Sequence, residues 1–175
     1  MRKLVTLGIS GVIAGPALAG ASLAADVKVT IEVPKLDVAE YHRPYVAAWI
    51  EKPDGTVAAN LSVWYDVKEE NKKGNKWLKD LRQWWRRAGR DLDMPVDGLS
   101  SPTRPAGKHA LEYAGTAPPL AELQAGEYEL VVEAAREVGG REVVRIPFKW
   151  PAAAVVSSSA QGKDELGAVD LEIKP

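Results

Sequence analysis

The sequence has no cysteine among its 175 residues. That excludes disulfides, thiol nucleophiles, thiolate-bound zinc and iron–sulfur clusters, and it leaves burial to hold the fold together. Histidine is almost as scarce. His42 and His109 lie far apart, neither has a partner at metal-ligand spacing, and both read as partly exposed polar residues. Nor is there an excess of one charge. Lys and Arg number 23 against 24 Asp and Glu, a formal net charge of −1, which speaks against nucleic acid as a partner.

What is present begins with an export signal. In "MRKLVTLGISGVIAGPALAGASLAADVKV" a basic start at Arg2 and Lys3 is followed by apolar and small residues from Leu4 to Ala19. Ser22-Leu23-Ala24 then supplies the small-x-small pattern that signal peptidase cuts. Residues 1–24 are therefore set aside as a signal peptide. The apolar run is short and contains Pro16, which disfavours a membrane anchor. The mature chain, residues 25–175, is expected to be a single soluble periplasmic domain of about 150 residues.

Strand patterns dominate that domain. In "DVKVTIEV" Val27, Val29, Ile31 and Val33 alternate with polar residues. "PYVAAWIE" is a nearly continuous apolar run, as in a strand covered on both faces. Lys52-Pro53-Asp54-Gly55 joins it to "TVAANLSVWYD" as a hairpin. "HALEYAG" alternates briefly, and "GEYELVVEAAREVGGREVVRIPFKW" reads as a long hairpin turning at Gly139-Gly140. "SSSAQGKD" reads as a loop, and "AVDLEIKP" closes with Val169, Leu171 and Ile173 on one side. About seven strands with turns between them predict an all-β, immunoglobulin-like antiparallel sandwich.

One segment breaks the strand pattern. In "KWLKDLRQWWRRAGR", Trp77, Leu81, Trp84, Trp85 and Ala88 share one stripe of an α-helix over about 76–88. Its apolar face would lie on the sandwich, leaving Arg82, Arg86 and Arg87 outward as a basic face open to a partner. In the long hairpin, a two-residue turn would set Glu137 opposite Glu142 with Glu133 on the same face, and Arg136, Arg141 and Arg145 on the other. The glutamates read as an exposed tip, or more remotely as an acid pair for hydrolysis. "VDGLSSPTRPAGKH", Val96 to His109, is rich in Gly, Pro and Ser and reads as an exposed loop, with Arg104 and Lys108 as further cations.

"RPYVAAWIEKPDGTVAANLSVWYD", "KWLKDLRQWWRR", "DGLSSPTRPAGKH" and "GEYELVVEAAREVGGRE", in that order, resemble the family of exported bacterial proteins called DUF2271 over essentially the whole mature chain. The C-terminal half of that family is similar to the immunoglobulin-like domain of the flagellar hook-capping protein. The resemblance also implies an association with PepSY-type membrane proteins and flavin transferases in extracytoplasmic electron transfer or iron reduction.

That association bears on the loop. Flavin transferases attach FMN to a hydroxyl within a motif resembling Asp-x-x-Ser/Thr-Gly-Ala-Thr, and Asp97, Ser100 and Thr103 occupy its Asp, Ser and final Thr positions. Thr103 would be the FMN acceptor, with Arg104 and Lys108 offsetting the phosphate charge and Trp84 or Trp85 offering a stacking edge. Ser101 and Pro102 depart from the motif's Gly and Ala. Otherwise the loop is a connector in which Asp97 and Ser100 make turn hydrogen bonds. The readings stand in this order: a non-catalytic periplasmic accessory or partner-binding protein of a PepSY-type redox or iron-uptake system; a covalent FMN carrier; a hydrolase using Glu133, Glu137 or Glu142. The first two need no catalytic residue, and no metal is called for.

Overall fold

In a computed structural model the chain is described over residues 25–175; the signal peptide read at residues 1–24 lies outside them. The alternation in β1 (Asp26–Val33) puts Val27, Val29, Ile31 and Val33 in the core. All seven residues of β2 (Tyr45–Glu51) are buried, as a doubly covered strand requires. Its hairpin to β3 (Val57–Tyr65) turns through Gly55, whose φ of +80° suits a residue without Cβ, while Asp54 accepts the Thr56 amide at 2.9 Å.

The other strands are β4 (Ser100–Pro102), β5 (Gly107–Tyr113), β6 (Gly126–Ala135), β7 (Arg141–Trp150), β8 (Val156–Gln161) and β9 (Ala168–Lys174). They build two sheets, one ordered β5-β1-β9-β8 and the other β4-β3-β2-β6-β7. The fold is thus the expected all-β sandwich. Between the sheets lies an apolar core that includes Val29, Ile31, Ile50, Leu61, Leu130, Val132 and Leu171. Each such buried side chain contributes about 1.5–3 kcal/mol.

Among the described residues, nine strands replace about seven. "SSSAQ" belongs to β8, an edge strand whose serines left no apolar alternation to read. The exposed loop expected over 96–109 also holds structure. Ser100 to Pro102 form β4, which runs parallel to β3 with Trp64 opposite Ser101, and β5 begins at Gly107 in the other sheet. The segment is a crossover between sheets.

The helix expected over 76–88 is broken. Glu70–Asp80 runs as 3-10 turns with Asn71 and Lys72 out of helical geometry, Leu81 sits at φ −74° and ψ 70°, and only Arg82–Arg87 is an α-helix (α1). Buried Leu78, Leu81 and Trp84 recur every three residues, the 3-10 period at which side chains stack. A 3.6-residue stripe puts Trp77 in the core, but it is 43% exposed. The segment packs its buried face on the outer side of the second sheet, against Trp49, Val63, Tyr65 and Val131.

The long hairpin has a different register from the one expected. Ala135 pairs with Arg141, leaving Arg136 to Gly140 as a five-residue connection in which Val138, and neither glycine, takes positive φ. Glu142 then lies opposite Ala134, and Glu133 opposite Val143. Glu137 falls outside the ladder, and Arg141 and Arg145 share the face of Glu133.

Candidate functional site

Carboxylates placed by the second sheet hold the helical segment. Glu133, fully buried on β6, accepts the Gln83 amide at 3.0 Å and the Trp84 amide at 2.9 Å, the free donors at the start of α1. It also meets Arg141 at 3.1 Å. Leu81 at the helix start has no capping oxygen, so a distant strand supplies one. Beside it, buried Glu51 takes the Trp49 indole N–H at 2.6 Å, Arg145 at 2.9 Å and Arg87 at 3.2 Å. Arg145 also reaches Glu129 at 2.8 Å and Gln83 at 2.9 Å. Burial alone would lower the Arg145 pKa, but hydrogen bonds and charge from Glu51 and Glu129 raise it instead.

Two more glutamates fasten loops. Glu142 accepts the amides of Lys163, Asp164, Glu165 and Leu166 at 2.6 to 3.0 Å. Partial burial works to raise its pKa, yet the four amides together hold the carboxyl below its usual range. Buried Glu165 grips Arg136 at 2.8 and 3.0 Å and takes the Gly140 amide at 2.7 Å. These carboxylates are consumed by the fold.

A different set of charges lines a cleft of about 530 Å³ at one end of the second sheet. Thr103 follows β4, Asp66 follows β3, Tyr45 opens β2 and Arg136 follows β6, so the cleft crosses four adjacent strands. Tyr45 donates to Asp66 at 3.2 Å. Burial pushes this phenol well above its ordinary pKa, and the Asp66 charge adds to the effect, so the hydroxyl stays a donor. Thr103 Oγ1 lies 3.5 Å from the other Asp66 oxygen.

The profile of DUF2271, described as a predicted periplasmic protein, matches residues 26–168. The chain belongs to that family. No curated protein and no solved structure matches it, and the likeness to the hook-capping protein gains no support. The family description agrees with the export signal, and this DUF2271 protein is periplasmic. Among the described residues, no helix is long and apolar enough to cross a membrane, and no three His, Asp or Glu side chains gather where they could hold a metal.

The residues singled out in the DUF2271 sequence fall in different places. Arg82 and Arg86 are exposed and have no ion-pair partner among the described residues; the Arg86 Nε donates to the Arg82 carbonyl at 3.2 Å. Arg87 is exposed as well but is engaged, bonding buried Glu51 and the Gly55 carbonyl. Arg104 stands over the Trp64 ring at 4.7 Å, and exposed Lys108 lies opposite Glu32 on β1. Asp97 is exposed, whereas Ser100 Oγ accepts the Val96 amide at 2.9 Å, a turn bond. Neither expected stacking edge is open: Trp84 is buried, and Trp85 is half-buried against the core. Of the suggested acid set, Glu133 and Glu142 are saturated as above, and Glu137 lies 3.7 Å from His42. The sequence alone missed Asp66, Glu69, Trp77 and Asp80 as fellow lining residues of Thr103, since they come from a strand end and the 3-10 segment and form no local motif with it. A period-three reading of Leu78, Leu81 and Trp84 would have turned Trp77 outward.

Proposed function

We propose that this DUF2271 protein is a non-catalytic periplasmic binding module serving a PepSY-type membrane redox or iron-uptake system, docking through the outward face of α1. The observation that supports this reading is the contrast between Arg87, spent on Glu51, and its neighbours Arg82 and Arg86, exposed without ion-pair partners among the described residues. Charge there steers an acidic partner and sets its orientation. The test is co-purification with a co-expressed PepSY-type protein. The double variant Arg82→Glu/Arg86→Glu should abolish retention while leaving the thermal midpoint unchanged; full retention would remove this surface. Arg87 is left intact because reversing it would disturb Glu51.

A second reading, a covalent FMN carrier with Thr103 as acceptor, is favoured by the position of Thr103 on a cleft with an exposed indole, Trp77, in its lining. The ring of a flavin fits that wall better than it fits Trp84 or Trp85. The phosphate fits less well, because Asp66 faces Thr103 and Arg104 is engaged with Trp64. Intact mass after periplasmic co-expression with a flavin transferase decides it. An FMN adduct lost in Thr103→Ala supports the carrier, and an unmodified chain excludes it.

A further inference from the structure

The cleft at the end of the second sheet holds more than the Trp77 wall that the carrier reading uses. Asp66, Glu69 and Asp80 line it, all exposed and all without an ion-pair partner among the described residues. Glu137 has only His42 nearby. On the basic side Arg43 is the unpaired cation among the described lining residues, since Arg136 is bound to Glu165. Acid therefore exceeds base in the cleft.

The apolar lining is equally unbalanced. Five large apolar side chains are exposed among the described residues, and three of them meet here: Trp77 at 43%, Tyr41 at 39% and Val138 at 75%. Val138 also holds φ at 53°, a conformation that a β-branched residue adopts only under constraint. The Trp77 ring already draws an ammonium group, the Lys76 Nζ at 4.6 Å from its centroid. Arg136 adds a second signal. Its side chain is only 7% exposed and lines the cleft, and its Nη1 has no hydrogen-bond partner.

We infer that this cleft is a binding site for a small organic cation with an aromatic or aliphatic body. The unpaired carboxylates of Asp66, Glu69 and Asp80 receive the charge, and Trp77, Tyr41 and Val138 receive the body. Arg136 offers a donor to an accepting group on the ligand. The volume of about 530 Å³ suits a ligand of that kind. The same acids repel an anion, so an anionic ligand with the same ring is rejected. This inference rests on neither reading above, as it needs neither the face of α1 nor a modified Thr103.

The test uses the unmodified mature protein, labelled with nitrogen-15, and two probes sharing one ring: tryptamine, a cation, and indole-3-propionate, an anion. Tryptamine should shift the Trp77 indole N–H and the Val138 amide saturably. Indole-3-propionate should bind at least about tenfold more weakly. Trp77→Ala and the double variant Asp66→Asn/Asp80→Asn should each weaken tryptamine by about tenfold. All three side chains are exposed, so these variants keep the fold. No saturable shift with millimolar tryptamine, equal affinity for the anion, or unchanged affinity in the variants would overturn the site.

Discussion

The outer face of the second sheet and the cleft at its end are both rich in acid, but the acids do different work. Under the helical segment, Glu133 and Glu51 are buried and every one of their oxygens is bonded to an amide, an indole or a guanidinium. At the cleft, Asp66, Glu69 and Asp80 are exposed and have no cation of their own among the described residues. Leaving a buried charge without its partner is costly. Charge left open in a concave, partly apolar place is available to a ligand. The contrast teaches where to look for function in a fold whose buried carboxylates are committed to holding it together.

The strongest challenge to that contrast is removal of a committed acid. Glu133→Ala leaves Arg141 and two helix-start amides without their acceptor, and should cost about 3–5 kcal/mol in urea unfolding. A loss below about 1 kcal/mol would mean α1 stays in place without its distant cap.

Gly89→Ala comes next. A Cβ there would fall 2.5 Å from the Trp84 ring, and that indole is buried with its N–H bound to Asn60 at 2.9 Å. Overpacking should cost about 1–3 kcal/mol, read from the same unfolding curve.

A smaller effect belongs to Glu142, whose pKa in the folded protein lies below its ordinary 4.5. Its contribution is complete above that ordinary value and is lost as pH falls through the lower folded one. Stability should therefore decline on acidification below about pH 5, and Glu142→Gln should show a shallower decline. An equally steep decline in the variant would assign the acid sensitivity elsewhere. The smallest change is expected from Trp77→Ala, within about 0.5 kcal/mol, although it removes an indole.

The sandwich was legible because alternation in β1 and β9 and the apolar run of β2 report burial directly. β8 was not, because its serines alternate without an apolar face. The hairpin misled because Gly139-Gly140 is a strong turn signal, whereas the chain turns through Val138 and so shifts the register of Glu142. The helical stripe misled for a related reason: 3-10 turns and a short α-helix meet at Leu81, and the buried Leu78, Leu81 and Trp84 follow a period of three where a single α-helix has 3.6. Thr103 was picked out in sequence and does line the cleft, but its neighbours come from residues 41 to 138. The order of β4, β3, β2 and β6, with the 3-10 segment that carries Trp77 and Asp80, brings them together.

The most direct test of the division between committed and open acids is urea unfolding of Glu133→Ala and Asp66→Asn/Asp80→Asn beside the unsubstituted protein, each then titrated with tryptamine under folding conditions. The account predicts that the first loses about 3–5 kcal/mol of stability, while the second keeps its stability within about 0.5 kcal/mol and binds tryptamine about tenfold more weakly. A cleft variant destabilised as much as Glu133→Ala, or one that still binds tryptamine undiminished, would contradict it.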